Sequence, residues 1–111
     1  LGDVYKRQIL LDVRTPEEFA QGHIKGAINI DLQAEDFAQD IVRLDPKKTY
    51  YIYCRSGARA RIAKDAMDVA NIKKSYPFRN GITDYEGQLL KGGLDENQAK
   101  KETLFQKRKK K

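Results

Sequence analysis

Thr49-Tyr50-Tyr51-Ile52-Tyr53-Cys54-Arg55-Ser56-Gly57-Ala58-Arg59-Ala60-Arg61 is the stretch on which the reading of this chain turns. Thr49 to Tyr53 are β-branched and aromatic, which is strand chemistry. A loop follows from Arg55 to Gly57. From Ala58 to Ala70 apolar residues return at helical spacing, through Ile62, Ala66, Val69 and Ala70. A strand that ends in a short loop and passes directly into a helix belongs to an α/β layer fold.

The residues on either side extend the alternation. Upstream, Ile9-Leu10-Leu11-Asp12-Val13 is a nearly unbroken apolar run, as in a strand buried on both faces of a parallel sheet. Thr15-Pro16-Glu17-Glu18-Phe19 starts a helix: Thr15 caps it, Pro16 suits the first position and Glu18 completes a capping box. Gly22 stops that helix, and Gly26 introduces a second short strand at Ala27-Ile28-Asn29-Ile30. Ala34 to Leu44 places Phe37, Ala38, Ile41 and Leu44 on one helical face, and Asp45-Pro46-Lys47-Lys48 is a turn. Downstream, Ser75-Tyr76-Pro77-Phe78 is a weaker strand that Pro77 confines to an edge or an end, and Asn80-Gly81 is a turn. The expected fold is therefore α/β, with a mainly parallel central sheet flanked by helices.

Length and composition set bounds. The 111 residues make one domain. Residues 1–8 begin with Leu, fit no periodic pattern and are expected to be a leader partly foreign to the domain, with the fold truncated at its N-terminus. Residues 9–94 form the domain, and 95–111 a basic tail, helical or disordered. A single Cys excludes an internal disulfide, and one Cys with one His excludes a tetrahedral zinc site built from those ligands. No apolar run approaches the roughly 20 residues that span a bilayer, so no membrane partner is expected. The net charge of +6 would suggest nucleic acid. However, residues 91–111 carry eight basic and three acidic residues, whereas 1–90 carry fourteen and thirteen. The body is balanced. The run Lys107 to Lys111 offers phosphate contacts, but only Phe105 lies near it as a stacking aromatic, and nucleic acid is not the expected partner.

The chemistry concentrates at Cys54. In an open α/β sheet, ligands bind beyond the carboxyl ends of the strands. A strand–loop–helix turn points backbone N–H groups at that place, and the helix dipole adds to them. Such a nest favours a thiolate over a thiol. Arg55, Arg59 and Arg61 add positive charge, and Gly57 allows a tight turn. A lone cysteine after a strand is most often a small buried hydrophobe, but a purely structural cysteine has no need of Arg-Ser-Gly-x-Arg after it.

Three segments occur in order: Asp12-Val13-Arg14-Thr15-Pro16-Glu17-Glu18-Phe19, Gly22-His23-Ile24-Lys25-Gly26-Ala27-Ile28-Asn29-Ile30, and Cys54-Arg55-Ser56-Gly57-Ala58-Arg59. Together they resemble a single-domain rhodanese over residues 9–87. The resemblance implies a parallel sheet flanked by helices and a persulfide carried on the loop cysteine. Cys54 would be the sulfur-accepting nucleophile. The backbone N–H groups of Arg55, Ser56, Gly57, Ala58 and Arg59 would cradle the persulfide, and Arg55 and Arg59 would attract an anionic donor such as thiosulfate. The acceptor would be cyanide, another thiol or a protein cysteine, and no metal or organic cofactor is needed. Arg14 would line the same crevice or pair with Glu18. His23 would be a structural hydrogen-bonding residue in its Gly-His-Ile-x-Gly-Ala turn, and Asp12 an anchor for the backbone after the strand.

The chain also departs from the family pattern. Residues 1–8 are too few for the helix and strand that usually precede the Asp-Val-Arg segment. A Gly-Gly-x-x-x-Trp landmark reads Asn80-Gly81-Ile82-Thr83-Asp84-Tyr85 here, with Tyr85 expected to take over Trp packing. A lone reactive thiol suits a reducing cytoplasm, or a periplasm if a leader was lost.

Two other functions compete. A cysteine phosphatase or arsenate reductase needs Cys, five residues, then Arg, but the sixth residue after Cys54 is Ala60 and Arg59 comes one position early. The shorter loop makes a smaller pocket, which suits one sulfur better than a tetrahedral oxyanion. A non-catalytic regulatory or docking module usually lacks the cysteine that is present here.

Overall fold

The computed structural model describes residues 7–105. The leader assigned to 1–8 falls outside them except for Arg7 and Gln8, and the Lys107–Lys111 run lies wholly outside. Four parallel strands form the central sheet in the order β3-β1-β4-β5: β1 (Gln8–Asp12), β3 (Ile28–Asn29), β4 (Thr49–Tyr53) and β5 (Ser75–Pro77). Pro77 sits on the edge strand, where its missing N–H breaks no ladder. β1 and β4 run side by side in full register, from Gln8 opposite Thr49 to Asp12 opposite Tyr53. Their carboxyl ends therefore finish together, and this brings Arg14 and Cys54 to one end of the sheet.

Alternation along the strands builds two cores. Leu11 and Val13 of the first strand segment, and Tyr50, Ile52 and Cys54 of the next, pack on one face against Phe37, Ile41 and Leu44 and against Ala60, Ala63 and Met67. These partners come from helix α2 (Phe37–Val42) with its C-terminal turn, and from α3 (Ala58–Val69). On the other face Tyr53 packs with Phe19 and Ala27. Phe19 comes from α1 (Pro16–Gln21), which starts in the expected capping box: Thr15 Oγ1 accepts the Glu18 N–H, and the Glu18 carboxylate accepts the Thr15 N–H.

Several local expectations are corrected. α3 is a helix where expected, but its expected inner face holds only in part: Ala66 and Ala70 pack against the core, whereas Ile62 is 56% and Val69 91% exposed, and Ala60, Ala63 and Met67 are buried instead. Small alanines let the helix approach the sheet closely, and packing overrides the larger apolar pattern. α2 is shorter than the Ala34–Leu44 period, since no side chain caps it at Asp36, and Ala38 is exposed. A small antiparallel pair, β2 (His23–Ile24) with β6 (Leu89–Leu90), was not foreseen. Tyr85 does not replace a buried Trp. It is 42% exposed and lies against Gly87.

The segment from residue 95 belongs mostly to α4 (Leu94–Leu104). This helix docks through Asn97, whose side chain accepts the Asn29 N–H at 2.7 Å and donates to the Asn29 carbonyl at 3.1 Å. One amide side chain thus pairs the exposed edge of β3 as a further strand would. Leu104 and Phe105 join the core, with the Arg43 guanidinium 4.6 Å over the Phe105 ring. The domain boundary drawn at 94 therefore falls at the first residue of a helix that packs onto the sheet. No helix among the described residues is long and apolar enough to cross a membrane.

Candidate active site

Two strand ends make the site. At the end of β1, Asp12 is completely buried and gathers the chain around itself. It accepts the Arg14 backbone N–H at 2.9 Å and the Arg14 guanidinium at 2.7–3.1 Å. Arg14 also donates to the Gly22 carbonyl at 2.6 Å. Burial disfavours the Arg14 cation, but the Asp12 carboxylate outweighs burial and holds it above its ordinary pKa. Asp12 is thus the backbone anchor expected of it. Arg14 pairs with Asp12 rather than with Glu18. Asn29 closes the turn by donating to the carbonyls of Asp12 and Arg14 at 2.9 and 2.8 Å.

His23 has the structural role expected of it. Its ring stacks on Phe19 with centroids 3.7 Å apart, and Nδ1 lies 2.9 Å from the Phe19 carbonyl. That geometry makes Nδ1 the protonated nitrogen. Tyr53 accepts the Ile24 N–H on its hydroxyl, and burial, reinforced by nearby Asp12, pushes its phenol well above the usual range.

At the end of β4 the chain has no buried charge. Cys54 is 1% exposed. The loop turns back so that the Gly57 N–H donates to Cys54 Sγ at 3.0 Å. Gly57 caps α3 with φ of 107°, and a side chain there would run into the Arg79 carbonyl, so only glycine suits the position. The first amides of α3, from Ala58 and Arg59, have no earlier helical carbonyl to bond and present the positive end of the helix dipole. Arg55 and Ser56 are exposed at the mouth of the loop.

The loop is held from behind by residues that the sequence reading did not single out. Ile82 N–H donates to the Cys54 carbonyl at 2.9 Å and Thr83 N–H to the Arg55 carbonyl at 3.3 Å. Both lie in a 3₁₀ turn, Gly81–Asp84. Gly81, at φ of 70°, packs directly on the Cys54 and Arg55 carbonyls. The Asn80-Gly81 pair, read only as a turn, was the available signal for this support.

Arg59 also differs from its expected role. It makes two hydrogen bonds to Glu18, at 2.6 and 3.0 Å. That contact is the main reason the Glu18 carboxyl is lowered to about 2, and it raises Arg59 in turn. Beside this pair opens a cleft of about 390 Å³ lined by Arg14, Glu18, Arg55, Ile82, Thr83 and Leu89, among others. Arg14 and Arg55 thus share one crevice with Glu18, while Arg59 is not among its lining residues and is bound to the Glu18 carboxylate.

A parallel α/β domain whose one cysteine sits in the loop between a strand end and a helix N-terminus, under a backbone N–H, belongs to the class of α/β domains with a cysteine loop. Within that class the assignment is specific: the family model for the rhodanese-like domain matches residues 3–100, and the chain belongs to that family. It is 32% identical over 85 residues to the uncharacterized protein YqhL of Bacillus subtilis, covering 77% of this chain and 66% of that protein. It is 35% identical over 66 residues to the thiosulfate sulfurtransferase PspE of Escherichia coli, covering 58% of this chain and 62% of that protein. It spans under two thirds of the length of each. Among solved structures, a rhodanese with anions from E. coli aligns with a TM-score of 0.62 and 30% identity, covering 77% of this chain and 99% of that one. A rhodanese-like domain protein from Staphylococcus aureus aligns at 0.65 with 26% identity, covering 75% and 79%.

Proposed function

We propose that this domain is a sulfurtransferase that carries a sulfane sulfur as a persulfide on Cys54. The observation that carries the reading is the 3.0 Å hydrogen bond from the Gly57 amide to Cys54 Sγ, made at the N-terminus of α3. An N–H aimed at sulfur stabilises the negative charge of a thiolate, the form that attacks the donor. The likeness to a thiosulfate sulfurtransferase and to a rhodanese with anions supports the same chemistry.

In the first step the Cys54 thiolate attacks the outer sulfur of the donor. The donor's S–S bond breaks, and its electron pair leaves as sulfite when the donor is thiosulfate. In the second step a nucleophilic acceptor, such as cyanide, a thiol or a protein cysteine, takes the outer sulfur and returns Cys54 as thiolate. A covalent intermediate of this kind gives ping-pong kinetics. Arg55, at the mouth of the loop, draws the anion in, and the N–H groups from Ser56 to Arg59 receive its sulfur. The site geometry disfavours phosphoryl chemistry: Ala60, where a phosphatase loop needs its arginine, is completely buried, and Arg59 is turned to Glu18.

Mass spectrometry tests the reading. Treatment with thiosulfate is expected to add about 32 Da, one sulfur, to Cys54, and cyanide to remove it as thiocyanate. Cys54→Ser is expected to take up none. Absence of the adduct on the wild-type chain overturns the proposal.

A further inference from the structure

Arg55 and Ser56 follow Cys54, and their backbone N–H groups donate to no backbone carbonyl among the described residues. The direction of those two amides is set from behind. The Ile82 N–H donates to the Cys54 carbonyl at 2.9 Å, and the Thr83 N–H to the Arg55 carbonyl at 3.3 Å. A peptide group is planar and trans, so its C=O and its N–H point in opposite directions. Pinning the Cys54 carbonyl to the Gly81–Asp84 turn therefore directs the Arg55 N–H away from that turn, and pinning the Arg55 carbonyl does the same for the Ser56 N–H. The next amide in the chain, that of Gly57, donates to Cys54 Sγ at 3.0 Å. The same supporting segment also meets the far end of the loop, where the Arg79 carbonyl occupies the place a side chain on Gly57 would take.

From this arrangement, and resting on the reading of Cys54 as sulfur acceptor, we infer that the Gly81–Asp84 turn positions the sulfur site, with Gly81 as the positioning residue: it aims the Arg55 and Ser56 amides into the loop beside the Gly57 amide, so that three successive N–H groups converge on the reacting sulfur. Gly81 permits the approach. Its φ is 70°, and a β-carbon on it would lie 2.5 Å from both the Cys54 and the Arg55 carbonyl oxygens. A side chain at this position must push those two carbonyls, and with them the two amides on their far side. Donors held in place before the reaction cost no reorganisation when charge develops on the sulfur. The device uses main-chain dipoles alone, so it serves any anionic sulfur donor and needs no particular side-chain charge.

Gly81→Ala tests the role against Gly92→Ala. Gly92 has φ of 71° and nothing within 4 Å of a β-carbon placed on it, so alanine there carries similar backbone strain without touching the loop. Two quantities are measured: the rate constant for adding one sulfur from thiosulfate to Cys54, by mass spectrometry, and the pH dependence of Cys54 alkylation by iodoacetamide, which involves no sulfur donor. For Gly81→Ala, transfer is expected to fall about ten- to a hundredfold. Its alkylation profile is expected to move about half a unit to one unit to higher pH, because amides drawn off the sulfur cease to favour the thiolate. Gly92→Ala is expected to change transfer less than about twofold and to leave the profile in place. A Gly81→Ala alkylation profile that superimposes on that of the wild type overturns the positioning role, whatever happens to transfer. If Gly81→Ala fails to fold, as judged by thermal unfolding, a chain carrying the α-hydroxy acid analogue of isoleucine at position 82 decides instead. It lacks only the N–H given to the Cys54 carbonyl; the same two changes are expected on a smaller scale, and their absence overturns the role. A wild-type chain that takes no sulfur from thiosulfate overturns the sulfurtransferase reading, and the alkylation profiles still decide what the turn does.

Discussion

The ends of β1 and β4 lie next to each other, Asp12 opposite Tyr53, and solve the same problem in opposite ways. After β1 the chain is turned by charge: a buried carboxylate takes the next arginine's N–H and guanidinium, and that arginine takes a carbonyl eight residues on. The Asp12 carboxylate and the Arg14 Nε and Nη2 are bonded within the fold, and Arg14 reaches the cleft from that clamp. After β4 the chain is turned by shape: a glycine in the left-handed region whose N–H is aimed at the cysteine sulfur, and a second glycine pressed against two carbonyls. On the proposed function, its polar groups serve the sulfur and the donor rather than the fold. The two ends differ as a closed clamp differs from an open cradle, and the same sheet register places them side by side.

The largest effect is expected at the clamp. Asp12→Ala strips the buried Arg14 guanidinium of its counter-charge, and removing one partner of a buried pair costs about 3–5 kcal/mol. Chemical denaturation is expected to show a loss on that scale. A loss under about 1 kcal/mol would mean that the guanidinium finds another partner or water, and that the clamp is not closed as described.

At the cradle the effect is expected to divide differently. Gly57→Ala places a β-carbon where φ of 107° disfavours it and against the Arg79 carbonyl. Backbone strain of this kind costs about 1–3 kcal/mol, less than the clamp variant. The sulfur-transfer rate is expected to fall by an order of magnitude or more, since the Gly57 N–H moves with the strained residue and misplaced donors of this type cost about 10²–10³ in rate. Stopped-flow transfer assays and unfolding curves on the same sample make the contrast. Equal ranking of the two variants in both assays would remove the distinction between clamp and cradle.

How much of this was legible in the sequence follows from how local each feature is. β4, the Cys54 loop and the start of α3 are contiguous and were read directly from Thr49 to Arg61. The capping box was legible because Thr15 and Glu18 are three residues apart. The inner face of α3 was partly misread because Ile62 and Val69 carry more apolar area than Ala60 and Ala63, while the fit to the sheet selects the small residues. β2 and β6 are two residues each, too short for any period to register. The Asn29–Asn97 pairing spans 68 residues, and neither asparagine stands out locally. At the site, Cys54 and its glycine were legible, but Arg59 was read as free for substrate. Glu18 already had a complete local role as a cap, and nothing in a one-dimensional pattern shows that the same carboxylate reaches 41 residues on to the cysteine loop.

That double use of Glu18 ties clamp side to cradle side and gives the smallest and most pH-specific prediction. The Glu18 carboxyl is held at about 2 against an ordinary 4.5, chiefly by the Arg59 guanidinium, against the opposing influence of burial and with help from the Thr15 N–H. A carboxyl lowered on folding contributes stability that is fully present above its unfolded value and is lost as pH falls toward its folded value. The contribution of Glu18 is therefore complete above about 4.5 and disappears as pH falls to about 2. Glu18→Gln carries no such contribution at any pH. The gap between the wild-type and variant unfolding midpoints is expected to stay constant above that window and to narrow steadily through it. Because both side chains are partly exposed, the gap should be modest and should shrink with added salt. A gap that holds constant down to about pH 2 would show that Glu18 and Arg59 are not joined as an ion pair in solution, and would leave the cleft wall with a free carboxylate and the cradle with a free arginine.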